Sequence, residues 1–195
     1  MSCKSLSKQT TTHRPQASGG ATFATKLPSE CSGIRSESHG KFYQWGINVA
    51  WNTTGSSAAG ATSSGSWNTS TYPSNWNTHP CPDGYRLPTN TEYQSLIDNC
   101  TRTNGGGWSS SDYGYITFTL KTDSSKKLEF PAVGWRNIDS SGTLYHAGQN
   151  GYYWSSVTYT SNTNNAYYLR FSSSDLRVLN GPNKRNGRSV RCVRQ

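Results

Sequence analysis

Long apolar runs are absent from this 195-residue chain, and hydrophobic and charged residues are both scarce. No stretch approaches the ~18 consecutive apolar residues that a membrane helix needs, so no membrane span is predicted. Hydrophobic residues make up 31% of the chain and charged residues 15%, so Ser, Thr, Asn and Gly supply most of the polarity. This balance is unlike that of a disordered, highly charged segment. We therefore expect one folded, loop-rich unit.

The beginning of the chain lacks the apolar middle of a secretory signal. Residues 1–30 are rich in Ser, Thr, Lys and Gly without periodic apolar positions, which predicts a flexible leader or docking segment. The folded domain is expected at residues 31–195. Export would then require earlier removal of a signal or release inside a larger particle such as a virion. The expected location is extracellular, at a cell surface or on a virion.

No CxxC pair occurs, and no histidine lies at metal-ligand spacing from the cysteines, so no metal site is predicted. The five cysteines are Cys3, Cys31, Cys81, Cys100 and Cys192. Four of them could form two disulfides in any of three connectivities, with Cys3 the simplest one to leave over. Buried free thiols in a reducing compartment are the alternative.

Basic runs and catalytic motifs are also missing. The net charge is +9, but Lys and Arg are scattered without a run of five, which indicates a weak bias towards acidic partners and no specific nucleic acid. None of the four histidines has a Ser or Cys partner at a recognised catalytic spacing. No Lys-Ser or Lys-Thr follows the glycines at 105–107, which excludes a phosphate-binding loop. We predict no catalytic residue and no cofactor.

Aromatic residues are what the chain has in quantity. Seven Trp, twelve Tyr and five Phe can supply the buried area of a core that has few aliphatic side chains. Residues 41–51 have a strand-like aromatic pattern. The polar residues 52–78 predict a long loop pinned by Trp67 and Trp76.

One helix start has a clear local signal. Thr89 followed three residues later by Glu92 predicts an N-cap with a capping box. Tyr93, Leu96 and Ile97 recur at helical spacing and continue to Cys100, so one face should be apolar, with the cysteine pointing into the core.

Short strands are predicted for the rest of the chain. YITFTLK and KKLEF, at 115–121 and 126–130, predict a β-hairpin. Further strand candidates are GYYWSS, AYYLRF, DLRVL and SVRCVR, separated by Asn-Gly and Ser-rich turns. The expected fold class is α+β, with one clear helix, several short antiparallel strands and long loops.

Five segments in this order resemble a known family. They are CPDGYRLPTNTEYQSL, FPAVGWRN, GYYWSS, AYYLRF and GRSVRCVR, within residues 81–195. The set resembles the major paralogous domain of Fibrobacter and Bacteroidetes surface proteins. That family is similar to the C-type-lectin-like fold and is related to formylglycine-generating enzymes. The resemblance implies a two-layer C-type-lectin-like scaffold, but a fold does not establish a function.

Two activities found on that fold are disfavoured by the residues present. The formylglycine-generating relatives use a reactive cysteine pair in the substrate groove, and no pair is placed for this role. Within the resemblance, Cys192 is better explained as a structural half-cystine, with Cys81 or Cys31 as its partner. The calcium-holding triplets of sugar-binding C-type lectins are absent, because Trp154 is followed by Ser155 and Ser156.

Residues 157–188 resemble the variable region of proteins that retroelements diversify on a C-type-lectin-like scaffold. In this interpretation Ala166, Tyr167, Leu169 and Phe171 belong to the scaffold, and residues of opposite parity or in loops point outward. Exposed Tyr and Arg beside Ser, Asn and Gly is a mixture typical of antibody-like binding surfaces. The candidate ligand-binding residues are Tyr145, His146, Val157, Tyr159, Tyr168, Arg170, Ser172, Asp175, Arg177, Leu179, Asn183 and Arg188. The alternative is that these are ordinary solvated strand residues.

Three functions follow from these patterns. The first is a ligand-binding display module, such as a receptor-binding or adhesin tip protein, that recognises a surface protein or glycan through its C-terminal face. Its N-terminal segment would attach to a carrier, either a pilus or a virion. The second is a structural or assembly domain of a surface appendage or virion. The third is an enzyme of the formylglycine-generating type, which the missing cysteine pair disfavours.

Overall fold

The computed structural model of the chain describes residues 41–48, 50, 71–137 and 142–195. The predicted leader at 1–30, Cys3, Cys31 and the loop anchor Trp67 lie outside the described residues. The helix and strands are β1 (Tyr43–Gln44), β2 (Tyr85–Arg86), α1 (Asn90–Asn99), β3 (Cys100–Gly105), β4 (Tyr115–Leu120), β5 (Asp123–Pro131), β6 (Trp135–Arg136), β7 (Leu144–Tyr145), β8 (Gly151–Thr158), β9 (Ala166–Phe171), β10 (Leu176–Leu179), β11 (Gly187–Arg188) and β12 (Val193–Arg194).

The described residues form an α+β structure, as predicted, in which one helix accompanies small antiparallel sheets. The strand orders are β1-β11-β6-β7, β10-β9-β8, β12-β2 and β3-β4-β5. Two of these sheets join strands from the beginning and the end of the described chain. In the described part of the protein, no helix has the length and apolar character required to span a membrane.

The helix α1 begins where the sequence predicts. The Glu92 amide donates to Thr89 Oγ1 at 3.1 Å, and the Thr89 amide donates to Glu92 Oε2 at 2.8 Å, which confirms the capping box. Tyr93 is fully buried, and Leu96 packs against the same core. The helix ends at Asn99, so Cys100 begins β3 with extended backbone and is only half-buried against the core.

The predicted hairpin is also present. β4 and β5 pair with Ile116 opposite Phe130 and Phe118 opposite Leu128, and all four side chains are buried. β3, which the sequence does not signal because three of its six residues are exposed and none is buried, adds a third strand beside β4. This sheet and α1 contribute to a cluster of buried residues that we call the first core.

Both faces of the β10-β9-β8 sheet carry buried residues, and the sheet separates two clusters of them. Tyr153, Leu169 and Phe171 belong to the first core. Tyr152 and Tyr168, which have the opposite parity, belong to a second core built around Trp45 and Trp154. β9 has buried side chains on both faces, so neither face is a purely solvent-facing surface.

A disulfide links the β2 and β12 ends of the fold. Cys81 and Cys192 are bonded across a sequence separation of 111 residues, with their Cα atoms 5.7 Å apart. This confirms Cys192 as a half-cystine and selects Cys81 from the two partners that were considered. Cys100 is a free thiol, so it does not belong to a second bridge.

Buried tyrosines make the stability of the fold sensitive to alkaline pH. Burial raises the pKa of Tyr93, Tyr153 and Tyr168 above the ordinary value, because a phenolate would lose its hydration there. In the unfolded chain these groups ionise near pH 10. The unfolded state is therefore favoured progressively above that pH, and the stability present below it is lost.

We expect the free energy of unfolding, measured by urea titration, to decrease from pH 9 through about pH 11. Arg188 has the opposite effect, because burial lowers its pKa to about 10 and the folded state loses that proton first. Burial also lowers the pKa of Arg102, Arg136, Lys184 and Arg191, and it raises that of Tyr43 and Tyr113. All five tyrosines ionise within this range in the unfolded chain, whereas unfolded arginine keeps its proton there, so the net change should remain a decrease. A free energy of unfolding that is constant over this range would contradict the prediction.

Candidate functional site

Part of the predicted C-terminal surface lies on one face of the β10-β9-β8 sheet. Arg170 is the cross-strand partner of both Tyr152 on β8 and Arg177 on β10. Tyr168 is likewise opposite Leu179. Directly opposed residues project to the same side of a sheet. The register therefore brings together four of the predicted residues, Tyr168, Arg170, Arg177 and Leu179.

Exposure divides this face into a covered and an open part. The Arg170 and Arg177 side chains are 29% and 55% exposed. Tyr168 is only 9% exposed and lies between the rings of Tyr152 and Trp154, with centroid distances of 6.1 and 6.4 Å. The prediction that Tyr168 points outward is therefore wrong, because the aromatic rings of the second core cover this part of the face.

Arg188 is buried as well, with 4% of its surface exposed, so its predicted place on an open surface is wrong. Its guanidinium carbon lies 4.5 to 5.3 Å from four ring centroids, an arrangement that we call the Arg188 cage. The rings are those of Trp135, Tyr152, Trp154 and Tyr168. A cation above aromatic faces is attracted by their quadrupoles, so Arg188 holds these rings together.

The Arg188 cage carries a charge with little hydrogen-bonding support. Nε and Nη1 of Arg188 are buried without a hydrogen-bond partner. Burial lowers the pKa of this guanidinium to about 10, while Tyr168 and Tyr152 raise it. The guanidinium therefore stays protonated at neutral pH, so a cation lies against the four aromatic rings of the Arg188 cage.

The Arg188 cage reaches the surface through Tyr145. The Tyr145 ring stacks on Trp135 at 5.4 Å and is 39% exposed, which makes it the large hydrophobic side chain most open to solvent in the described residues. Trp135 is half-buried, so it links the core to this surface. His146 follows with an exposed side chain and a positive φ of 55°, a backbone conformation that is uncommon for residues other than glycine. Tyr145 and His146 thus lie at the surface, as predicted.

The tip of the β9–β10 hairpin carries a network of charges. The Asp175 carboxylate accepts from Arg170 at 3.0 Å and pairs with Arg177 at 2.9 Å. It therefore bridges two arginines that are cross-strand partners. Ser172 Oγ accepts from the Asp175 amide at 3.1 Å and shapes the turn. The three charged groups sum to a positive charge at the open end of the face.

Two residues from another sheet hold this hairpin tip. Arg102 on β3 donates to the carbonyl of Asp175 at 2.9 Å and to the carbonyl of Ser172. Asn104 Nδ2 donates to the carbonyl of Ser173 at 2.6 Å. Because all these acceptors are backbone atoms, the support is independent of the side chains at the tip. Sequence reasoning missed Arg102 and Asn104, since about 70 residues separate them from the hairpin and no local pattern marks them.

The remaining predicted residues lie at the other end of the sheet. Val157 lies next to Thr158, which pairs with Ala166 at one end of the β8–β9 ladder. Arg170 lies near the opposite end of the ladder, where Gly151 pairs with Phe171. Tyr159 makes an edge contact with Tyr167 at 5.6 Å. Asn183, nearby through its bridge to Asn165, donates to the Tyr72 hydroxyl at 3.3 Å. The sequence candidates therefore form two groups.

Across residues 41–48, 50, 71–137 and 142–195, no three His, Cys, Asp or Glu side chains are grouped so that they could hold a metal ion.

Comparison with known proteins gives one finding. Residues 118–193 are similar to a family described as a domain of unknown function (DUF8237). That segment extends from β4 to β12 and contains every predicted ligand-binding residue. No curated protein and no solved structure matches the chain.

Proposed function

We propose that this chain is a ligand-binding display module, built on a C-type-lectin-like scaffold, that recognises a surface protein or glycan. The binding surface is formed by Trp135, Tyr145, His146, Arg170 and Arg177, which we call the recognition face. The observation that carries the proposal is the Arg188 cage, which continues through stacked Trp135 to exposed Tyr145. Aromatic and arginine side chains are the commonest anchors of protein-binding surfaces.

The rigidity of the recognition face supports this role. Tyrosine supplies contact area with few rotatable bonds, and arginine supplies directional hydrogen bonds. Arg102 and Asn104 hold the hairpin tip through its backbone, while Arg188 holds the rings from below. A surface that is ordered before binding loses less entropy when the ligand arrives.

The same arrangement suits a diversified surface. We propose that residues 157–188 are the region varied by a retroelement, because the side chains at the hairpin tip can change while Arg102 and Asn104 keep their backbone contacts. The proposed location is extracellular, at a cell surface or on a virion, with a pilus or virion carrier bound through residues 1–30.

Two other functions are less well supported. A structural or assembly domain is favoured by the burial of Tyr168 and Arg188, which a packing role explains. We propose that the protein is not an enzyme of the formylglycine-generating type. Cys192 is bonded to Cys81, which is only 9% exposed, and this favours a structural bridge over a reactive cysteine pair.

The proposal predicts that Tyr145→Ala combined with Arg177→Ala weakens binding to intact bacterial cells, or to hits on a glycan and protein array, by at least about tenfold. The thermal midpoint should remain close to that of the wild type, because both side chains are substantially exposed. Arg194→Ala, which removes an exposed arginine on β12, is the matched control and should bind normally.

Two results would count against the recognition face. One is unchanged binding by the double variant when its melt is also unchanged. The other is equal loss of binding in Arg194→Ala, which would indicate general charge attraction. If the wild type binds neither cells nor the array, the structural or assembly role replaces the proposal.

A further inference from the structure

A concave site is lined by residues outside the recognition face. A cleft of about 410 Å³ forms between residues 71–80, β2, the beginning of α1 and β8. Trp76, His79, Arg86, Thr89 and Ser156 are among the residues that line it. None of the ligand-binding residues predicted from the sequence contributes to this lining.

Two ring nitrogens at the cleft lack partners. Trp76 Nε1 and His79 Nδ1 are buried atoms without a hydrogen-bond partner. An indole N–H can only donate, and Trp76 Nε1 has no acceptor among the described residues. Leaving a buried polar group unpaired is unfavourable. A polar ligand that paired with these two nitrogens would therefore gain more binding free energy at the cleft than on an ordinary surface.

The charges around the cleft cancel. Arg86 forms two hydrogen bonds with Glu92, at 2.7 and 2.6 Å, and its Nη1 also donates to the Leu87 carbonyl at 3.1 Å. Glu92 in turn accepts from the Thr89 amide at the start of α1. The guanidinium is thus engaged by a carboxylate, so Arg86 offers little uncompensated positive charge to an anionic ligand. A neutral ligand with several oxygen atoms fits this surface better than an anion does.

We propose that the cleft binds one neutral sugar residue. Sugar hydroxyls both donate and accept, so they can pair with the Trp76 indole and the His79 imidazole together once the two rings turn their buried nitrogens towards the cleft. The hydroxyls of Thr89 and Ser156 add polar contacts, and Leu87 adds an apolar one. The cleft volume lies at the lower end of the range of about 300–1,000 Å³ that is usual for small-molecule sites. This site is separate from the recognition face and does not depend on it.

The test uses the full chain and the tryptophan indole N–H signals in ¹H–¹⁵N NMR spectra. Trp76→Phe assigns the Trp76 signal by its disappearance. Glucose, galactose, mannose and N-acetylglucosamine are then titrated to about 100 mM, which detects even weak sites, with glucuronate as the anionic comparison. At least one neutral sugar should shift the Trp76 signal saturably. A sugar that binds at the recognition face would instead shift the signal of Trp135.

Affinity for that sugar, measured by ligand-observed NMR, should fall about tenfold in Trp76→Phe, which keeps a ring but removes the donor. Ser156→Ala should weaken binding while leaving the Trp76 signal visible. Trp108→Phe, at a half-buried tryptophan packed on Phe171, is the control and should bind like the wild type.

The inference is overturned if no neutral sugar shifts the Trp76 signal or if only glucuronate does so. Equal affinity in Trp76→Phe and the wild type would also overturn it. None of these outcomes bears on Tyr145 and Arg177, so the recognition face is tested independently.

Discussion

Reduction of the Cys81–Cys192 disulfide is expected to lower the free energy of unfolding by about 4–5 kcal/mol. The bridge spans 111 residues of sequence, and closing so long a loop removes much of the conformational entropy of the unfolded chain. It also connects the segment before β2 to the segment before β12, whose pairing consists of only two residue pairs. For a domain of this size the total free energy of unfolding is about 5–15 kcal/mol, so reduction removes a large share of it.

This prediction is checked by urea unfolding with and without dithiothreitol. The thermal midpoint should fall by roughly 10–20 °C on reduction. Cys192→Ser should reproduce the loss and make the protein insensitive to the reductant. Cys100→Ser, which changes a free thiol, is the control and should keep the full response. A wild-type stability that does not change when free-thiol titration shows complete reduction would refute the prediction.

Replacing Arg188 with alanine is expected to lower the free energy of unfolding by about 3–5 kcal/mol, the range found for large-to-small changes in a core. The side chain is 4% exposed and lies against four aromatic rings, so truncation leaves a cavity at the centre of the Arg188 cage. The rings would also lose the cation that attracts them.

Arg188→Met separates the shape of the side chain from its charge. Methionine fills much of the same space without a buried charge or the unpartnered Nε and Nη1 atoms. We therefore expect Arg188→Met to retain the wild-type stability within about 1 kcal/mol. Arg177→Ala, at an exposed side chain, should change stability by less than about 0.5 kcal/mol and is the matched control.

Urea unfolding of the three variants decides between these alternatives, and near-ultraviolet circular dichroism reports the packing of the rings. If Arg188→Met is destabilised as strongly as Arg188→Ala, the cation–π attraction contributes more free energy than burial of the charge costs. Our expectation that the two nearly cancel would then be wrong. If Arg188→Ala is as stable as the wild type, the Arg188 cage does not contribute to the core.

The candidate site could be predicted only in part. The alternation of residues in AYYLRF and DLRVL placed Tyr168, Arg170, Arg177 and Leu179 on a common face, and the register agrees. Their exposure could not be obtained in this way. Alternation distinguishes the two faces of a strand but does not show whether the second face is covered by other parts of the chain.

Contacts between distant segments account for the other missed features. The hydrogen bonds from Arg102 to the 172–175 turn connect residues more than 65 positions apart, and nothing near Arg102 in sequence announces them. Trp76 and His79 meet Ser156 at the cleft only because residues 71–80 fold against β8. Side chains that belong to different elements form a site only after those elements pack.

The sequence by itself determined the features whose causes are local. The start of α1 follows from a capping box within four residues, and the β4–β5 hairpin follows from alternation across a short turn. Only the tertiary structure decided that Cys81 is the partner of Cys192, that Tyr168 and Arg188 are buried, and that Arg102 holds the hairpin tip. The physical reason is that capping and turn formation involve neighbouring residues, whereas burial and long-range pairing depend on how all the elements pack around two cores.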